Sequence, residues 1–106
     1  AGTAAGDPGA ADTREFARPL GELIRKDPEP TLLVASADLS HVGRYFEAED
    51  PEISSELLES VRTVDEAALK SVCANQPEDF RRHMAETGNP TRICSVGCVF
   101  ALMEAV

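Results

Sequence analysis

The stretch Thr31-Leu-Leu-Val-Ala-Ser-Ala-Asp-Leu-Ser-His-Val-Gly-Arg44 carries the clearest strand pattern in the chain. Its first five residues form a short apolar run rich in branched side chains, which is typical of a strand buried on both faces. Polar side chains follow at once: Ser36, Asp38, Ser40 and His41. Titratable groups at the carboxyl end of such a strand lie where open α/β sheets bind their ligands. The stretch therefore predicts an α/β fold, with a strand over residues 31–36 and a candidate site directly after it.

The composition limits the classes of partner. The chain has 106 residues, of which 42% are hydrophobic and 27% charged, and its formal net charge is −9. Such a charge repels a nucleic-acid backbone and an anionic membrane surface, and no apolar run approaches the roughly 20 residues that span a bilayer. We therefore expect neither nucleic acid nor membrane as a partner. The three cysteines lack the spacing of a disulfide framework, which indicates the cytoplasm.

Helix signals fill most of the remaining chain, and we predict about five helices. The Gly- and Ala-rich residues 1–11 are expected to be a flexible lead. Asp12 and Glu15 have the spacing of an N-terminal cap, but Pro19 is unfavourable inside a helix, so the first helix is predicted to start near Arg18. Asp50-Pro51-Glu52 has the residues of a second helix start.

The later helices are bounded by similar signals. Thr63 and Glu66 have the spacing of a capping box, which divides the next helical segment in two. Pro77 is predicted to start a further helix that ends at Gly88. A final apolar helix follows to the end of the chain.

The predicted strand has no second strand to pair with in this sequence. A buried strand cannot satisfy its own backbone N–H and C=O groups. Its ladder partners must therefore come from more chain or from another copy. We expect the chain to be part of a larger α/β unit, with self-association or a partner chain completing the sheet.

Three residues are candidates for chemistry. Asp38 and His41 are three positions apart after the predicted strand, and a carboxylate beside an imidazole can orient it or share a metal with it. The alternative is an aspartate that caps a turn and a histidine that only faces solvent. Cys94 precedes the last predicted helix, where a thiol is a good nucleophile and a soft metal ligand. An ordinary buried cysteine is the alternative.

The other reactive side chains are expected to be structural. Cys73 and Cys98 fall on apolar helix faces and are predicted to lie in the core, and His83 is predicted to lie on a solvated face. Ser40 lies between Asp38 and His41, but adjacency in sequence does not make a catalytic triad.

Two ordered motifs resemble the Memo-like family, which includes the bacterial protein B of the AmmeMemoRadiSam system. The first is Leu33-Val-Ala-Ser-Ala-Asp-Leu-Ser-His-Val-Gly43, and the second is Gly88-Asn-Pro-Thr-Arg-Ile-Cys-Ser-Val-Gly97. The resemblance covers roughly residues 12–106. The sequence departs from the family pattern in three places: Ala37 for a serine, Val42 for an aromatic residue and Ser95 for a glycine.

The resemblance implies a three-layer fold like that of the class III extradiol dioxygenases and a metal-binding cleft. Cys94 would be the thiolate ligand, with His41 beside it as a ligand and Asp38 and His41 as the catalytic polar pair. Iron or copper is the implied metal. Two early histidines of the family have no counterpart, because the chain contains only His41 and His83. We therefore expect the C-terminal portion of a Memo-like domain, truncated at both ends.

The resulting hypothesis is a Memo-like metal-associated protein with a partial active-site cleft, whose complete form would carry out redox or dioxygen chemistry. The alternative is a non-catalytic protein-interaction module derived from the same fold. An active extradiol dioxygenase would need a facial triad that this chain does not supply alone.

Overall fold

Four helices make up the regular structure of the part of the chain that is described. The computed structural model describes residues 10–46 and 52–106. Its helices are α1 (Ala10–Lys26), α2 (Ser55–Cys73), α3 (Pro77–Thr87) and α4 (Val96–Ala105). α1 packs along α4, while α3 contacts both α2 and α4. The motif segment (residues 31–41) connects α1 to the rest of the chain without regular secondary structure.

The α/β prediction is wrong: residues 10–46 and 52–106 contain helices and no strand. The burial expected on both faces is wrong too: in residues 32–36 the side chains alternate, since Leu33 and Ala35 are half-buried whereas Leu32 and Val34 are exposed. No described residue pairs its backbone with that of residues 31–35. A strand is defined by its hydrogen bonds to a neighbour, so a strand pattern without a neighbour does not form a sheet.

The prediction of five helices is also wrong for the described residues, because the break expected at Thr63 does not occur. Thr63 lies inside α2, and its Oγ1 donates to the carbonyl oxygen of Glu59 at 2.9 Å. A threonine hydroxyl can bond the preceding turn in this way, which removes it as a cap. The predicted capping box is therefore an ordinary stretch of one long helix.

Helix starts differ from the predicted ones in two places. α1 begins at Ala10 and contains Pro19, so the start expected near Arg18 is wrong. α1 stays helical through this position and packs along α4, although a proline cannot donate the backbone hydrogen bond of its turn. Of the flexible lead predicted for residues 1–11, residues 1–9 lie outside the described residues.

The helix start expected at residues 50–52 lies mostly outside the described residues as well. α2 instead begins at Ser55, and the Ser54 hydroxyl accepts from the Leu57 amide at 3.1 Å. The predicted limits of α3 are confirmed, since Pro77 opens it and Gly88 ends it with a φ of 67°.

The core lies between α3, α4 and one face of α2. Its largest fully buried side chains are Phe80, Met84, Ile93 and Phe100. Ala68 is the contribution of α2. Ile93 belongs both to this core and to the turn before α4, so its burial holds that turn in place. Within the described ranges, no helix has both the length and the apolar character needed to cross a bilayer.

Candidate metal centre

The motif segment lies against the turn that precedes α4. The His41 amide donates to the Thr91 carbonyl at 2.8 Å, and Arg92 Nε donates to the His41 carbonyl at 3.1 Å. At the other end of the contact, the Asp38 amide donates to Ser95 Oγ at 3.0 Å. Residues more than 50 positions apart are thus held side by side by hydrogen bonds that involve the backbone.

Asn89 shapes the turn segment (residues 88–95). Its Oδ1 accepts from the Ile93 amide at 2.8 Å, and its Nδ2 donates to the Ile93 carbonyl at 2.9 Å. Asn89 itself has a φ of 53°, a left-handed conformation that asparagine tolerates better than most residues. The turn places Ile93 in the core, and the next residue, Cys94, is exposed.

The backbone partners of His41 determine which ring nitrogen carries the proton. Nδ1 lies 2.8 Å from the Leu39 carbonyl oxygen and 3.2 Å from that of Arg92. Because carbonyl oxygens only accept hydrogen bonds, Nδ1 is the donor. In the neutral ring, Nε2 then has a free lone pair, and it lies 3.8 Å from Cys94 Sγ and 3.7 Å from Asp38 Oδ2.

Asp38, His41 and Cys94 form what we call the candidate metal site. Their ligand atoms all lie within 4.8 Å of one another. In a tetrahedral site with metal–nitrogen and metal–sulfur distances of about 2.1 and 2.3 Å, the nitrogen and sulfur atoms are about 3.6 Å apart. The observed separation between His41 Nε2 and Cys94 Sγ is 3.8 Å. The three residues therefore fit around a metal ion with small side-chain movements.

Burial is uneven across the candidate metal site. The side chain of His41 is 22% exposed and that of Asp38 is 79% exposed. The Phe46 ring packs edge-on against the imidazole, with the ring centroids 5.0 Å apart. Packing and hydrogen bonds thus hold the histidine, whereas the carboxylate faces solvent. The site is accessible to an ion or a small molecule from the Asp38 side.

The remaining cysteines and the second histidine lie elsewhere. Cys73 and Cys98 are both exposed rather than in the core, and Cys98 Sγ contacts the Ser36 carbonyl oxygen at 3.9 Å. His83 is half-buried rather than on a solvated face, and its buried Nε2 has no hydrogen-bond partner among the described residues. In the described ranges, the cluster of possible metal ligands consists of Asp38, His41 and Cys94, and it includes neither of these cysteines nor His83.

Two residues beside the site, Asp65 and Thr91, are not identified by the sequence patterns. Ser40 Oγ lies 2.5 Å from Asp65 Oδ1 on α2 and 2.6 Å from Thr91 Oγ1. These contacts join residues that are 25 and 51 positions apart. Sequence patterns within a few residues cannot predict a contact between such distant positions. Asp65 has the spacing of an ordinary polar residue on an amphipathic helix.

The family model described as Memo-like protein matches residues 8–106, which is nearly the whole chain. Neither the curated proteins nor the solved structures include a significant match to this sequence.

Proposed function

Because this chain belongs to the Memo-like family, we propose that it is a metal-associated protein with its ion bound by Asp38, His41 and Cys94. Iron or copper is the proposed metal. The ligand set contains a thiolate, an imidazole and a carboxylate, and the thiolate favours softer ions than a site of two histidines and one carboxylate.

The orientation of His41 is the observation that supports this proposal most directly. Nδ1 donates to backbone carbonyls, and the free lone pair of Nε2 faces Cys94 Sγ and Asp38 Oδ2. Metal-binding histidines commonly use their second nitrogen in this manner, because the outer hydrogen bond fixes the tautomer and the ring orientation. A histidine that merely faces solvent would not need two carbonyl partners on one nitrogen.

The proposed role of the site is redox or dioxygen chemistry, as in a protein B of the AmmeMemoRadiSam system or an extradiol-dioxygenase-like enzyme. A redox-active ion, when bound, would supply electron transfer to a small substrate. Asp38, His41 and Cys94 would hold the ion, with the exposed Asp38 carboxylate on the side from which a molecule would enter. Three protein ligands leave coordination positions for water, substrate or a further ligand.

Metal content tests the proposal. The purified chain is incubated anaerobically with Fe(II) or Cu(I), desalted and analysed by elemental mass spectrometry. We expect close to one ion per chain for the wild type and a loss of at least tenfold in Cys94→Ala, since a first ligand is removed. Cys73→Ala is the matched control, because that thiol is exposed but outside the candidate metal site. Equal metal content in wild type and Cys94→Ala, or none in either, would overturn the proposal.

A second candidate function, a protein-interaction module, is favoured by the surface of the motif segment. Leu32 is 86% exposed and Val34 is 77% exposed. Neither residue makes a backbone hydrogen bond to another described residue. An apolar surface beside unpaired backbone groups suits the docking of a second copy of the chain.

A further inference from the structure

A hydrogen-bonded network behind the candidate metal site connects α2 to both segments that form it. Its centre is the Ser40 hydroxyl, which contacts Asp65 Oδ1 at 2.5 Å and Thr91 Oγ1 at 2.6 Å. Thr91 is buried, with 6% exposure, and the other two residues are half-buried. The network is therefore partly shielded from water, and a hydrogen bond there has more effect on geometry than one at the fully exposed surface.

The protons of this network can be assigned from its chemistry. An ionised carboxylate only accepts hydrogen bonds, so the single hydroxyl proton of Ser40 goes to Asp65. The Thr91 hydroxyl is then left to supply the proton for the contact between the two hydroxyl oxygens. Asp65 thus sets the direction of both bonds, and it is the one charged member of the network.

Two members of the network, Ser40 and Thr91, are each next in sequence to a residue whose carbonyl oxygen accepts from His41 Nδ1, namely Leu39 and Arg92. Ser40 lies between Leu39, whose carbonyl oxygen is bound by His41 Nδ1, and His41 itself. Thr91 accepts a hydrogen bond from the His41 amide through its own carbonyl oxygen. Fixing Ser40 and Thr91 therefore fixes the backbone groups that point Nε2 towards Cys94.

We propose that Asp65 is a positioning residue for the candidate metal site, acting through Ser40 and Thr91 on the orientation of His41. As a statement about metal affinity this rests on the proposed function, whereas the orientation of the His41 ring is a property of the metal-free protein. Asp65 contacts no ligand atom, and outer hydrogen-bond partners of this kind commonly change metal affinity by 10- to 100-fold.

The first test is metal affinity in variants of Asp65. Titration with Co(II), followed by the thiolate-to-cobalt absorption, is expected to show about tenfold weaker binding in Asp65→Ala. Asp65→Asn keeps an acceptor oxygen and should recover most of the affinity. Glu66→Ala is the matched control: Glu66 is the next residue of α2, is exposed and pairs with Arg62. Equal affinities in wild type and Asp65→Ala would overturn the inference.

The second test needs no metal and separates this inference from the proposed function. Nitrogen-15 NMR of the histidine rings reports which ring nitrogen is protonated and how mobile the ring is. His83 is an internal reference, since the chain has only two histidines. We expect the His41 signals to shift or broaden in Asp65→Ala while those of His83 stay unchanged. If the wild type binds no metal, the proposed function fails, but the ring spectrum still decides the role of Asp65.

A further variant covers the case in which Asp65→Ala does not fold. Thr91→Val keeps the shape of the buried side chain and removes only its hydroxyl. It should perturb the His41 ring in the same direction, because one of the two bonds to Ser40 is lost. Unchanged ring signals in a folded Thr91→Val would contradict the inference.

Discussion

At the scale of single residues, Gly21 shows how one position sets the distance between two helices. Gly21 is buried in α1, and a Cβ atom there would collide with the backbone carbonyl group of Ala105 in α4. Backbone atoms cannot move aside as a flexible side chain can. A glycine is therefore required for the close approach of the two helices, although glycine inside a helix is intrinsically unfavourable.

Gly21→Ala should lower the free energy of unfolding by about 1–3 kcal/mol, the usual cost of overpacking. Gly97→Ala is the matched control, because Gly97 is also helical and a Cβ there meets no atom within 4 Å. That substitution should be neutral or stabilise by up to about 1 kcal/mol. Urea unfolding followed by circular dichroism measures both. A Gly21→Ala protein as stable as Gly97→Ala would show that the helices do not pack as described.

The residues of the candidate metal site could be named from the sequence, but the network behind them could not. Asp38 and His41 are close in sequence, and the position of Cys94 comes from the second motif of the family resemblance. Asp65 becomes relevant only through its hydrogen bond to Ser40, which depends on where α2 packs. Long-range contacts of this kind leave no local periodicity in a sequence.

At the scale of elements, an ionic cluster between α1 and α4 holds the two helices together. The Glu104 carboxylate of α4 is 5% exposed and accepts hydrogen bonds from Arg14 Nε at 3.0 Å and Arg18 Nε at 2.9 Å. Burial acts to raise the pKa of Glu104, but the hydrogen bonds and charges of the two arginines outweigh it, so the pKa lies below its ordinary value. The ionised carboxylate thus stabilises the folded chain.

Glu104→Gln should reduce stability by about 1–3 kcal/mol at pH 7, since hydrogen bonds to a charged group are lost. The contribution of Glu104 is present above the ordinary pKa of 4.5 and is lost as the pH falls through the lower folded-state pKa. The stability difference between wild type and variant should therefore shrink below about pH 4.5. Urea unfolding at pH 7 and below pH 4 measures it, with Glu66→Gln as the exposed control. A difference that stays constant with pH would contradict the ionic cluster.

At the scale of the whole molecule, the described chain leaves much apolar surface uncovered. The radius of gyration is 15.4 Å, whereas about 13 Å is expected for a compact domain of about 100 residues. Ten large hydrophobic side chains in the described ranges are exposed, as many as the hydrophobic residues that are buried. Leu32 and Val34 are among the exposed ones. An uncovered apolar surface of this kind supports the proposed protein-interaction module.

Replacing Leu32 and Val34 together by lysine should weaken self-association at least tenfold, because two exposed apolar side chains are exchanged for charges. Sedimentation velocity over a range of concentrations measures the change. The net charge of −9 opposes association, so added salt should strengthen it in the wild type. Leu58→Lys, on exposed α2 surface, is the control. A wild type that stays monomeric at all concentrations and salt levels would eliminate the second candidate function.

The sequence by itself determined the features that depend on neighbouring residues: the limits of α3 and the motifs that carry Asp38, His41 and Cys94. Only the tertiary structure decided whether residues 31–36 form a strand and which residues support His41. The reason is physical. Helix starts and stops are satisfied within a few residues, whereas a ladder, a helix contact or a buried hydrogen bond needs a partner that only folding brings close.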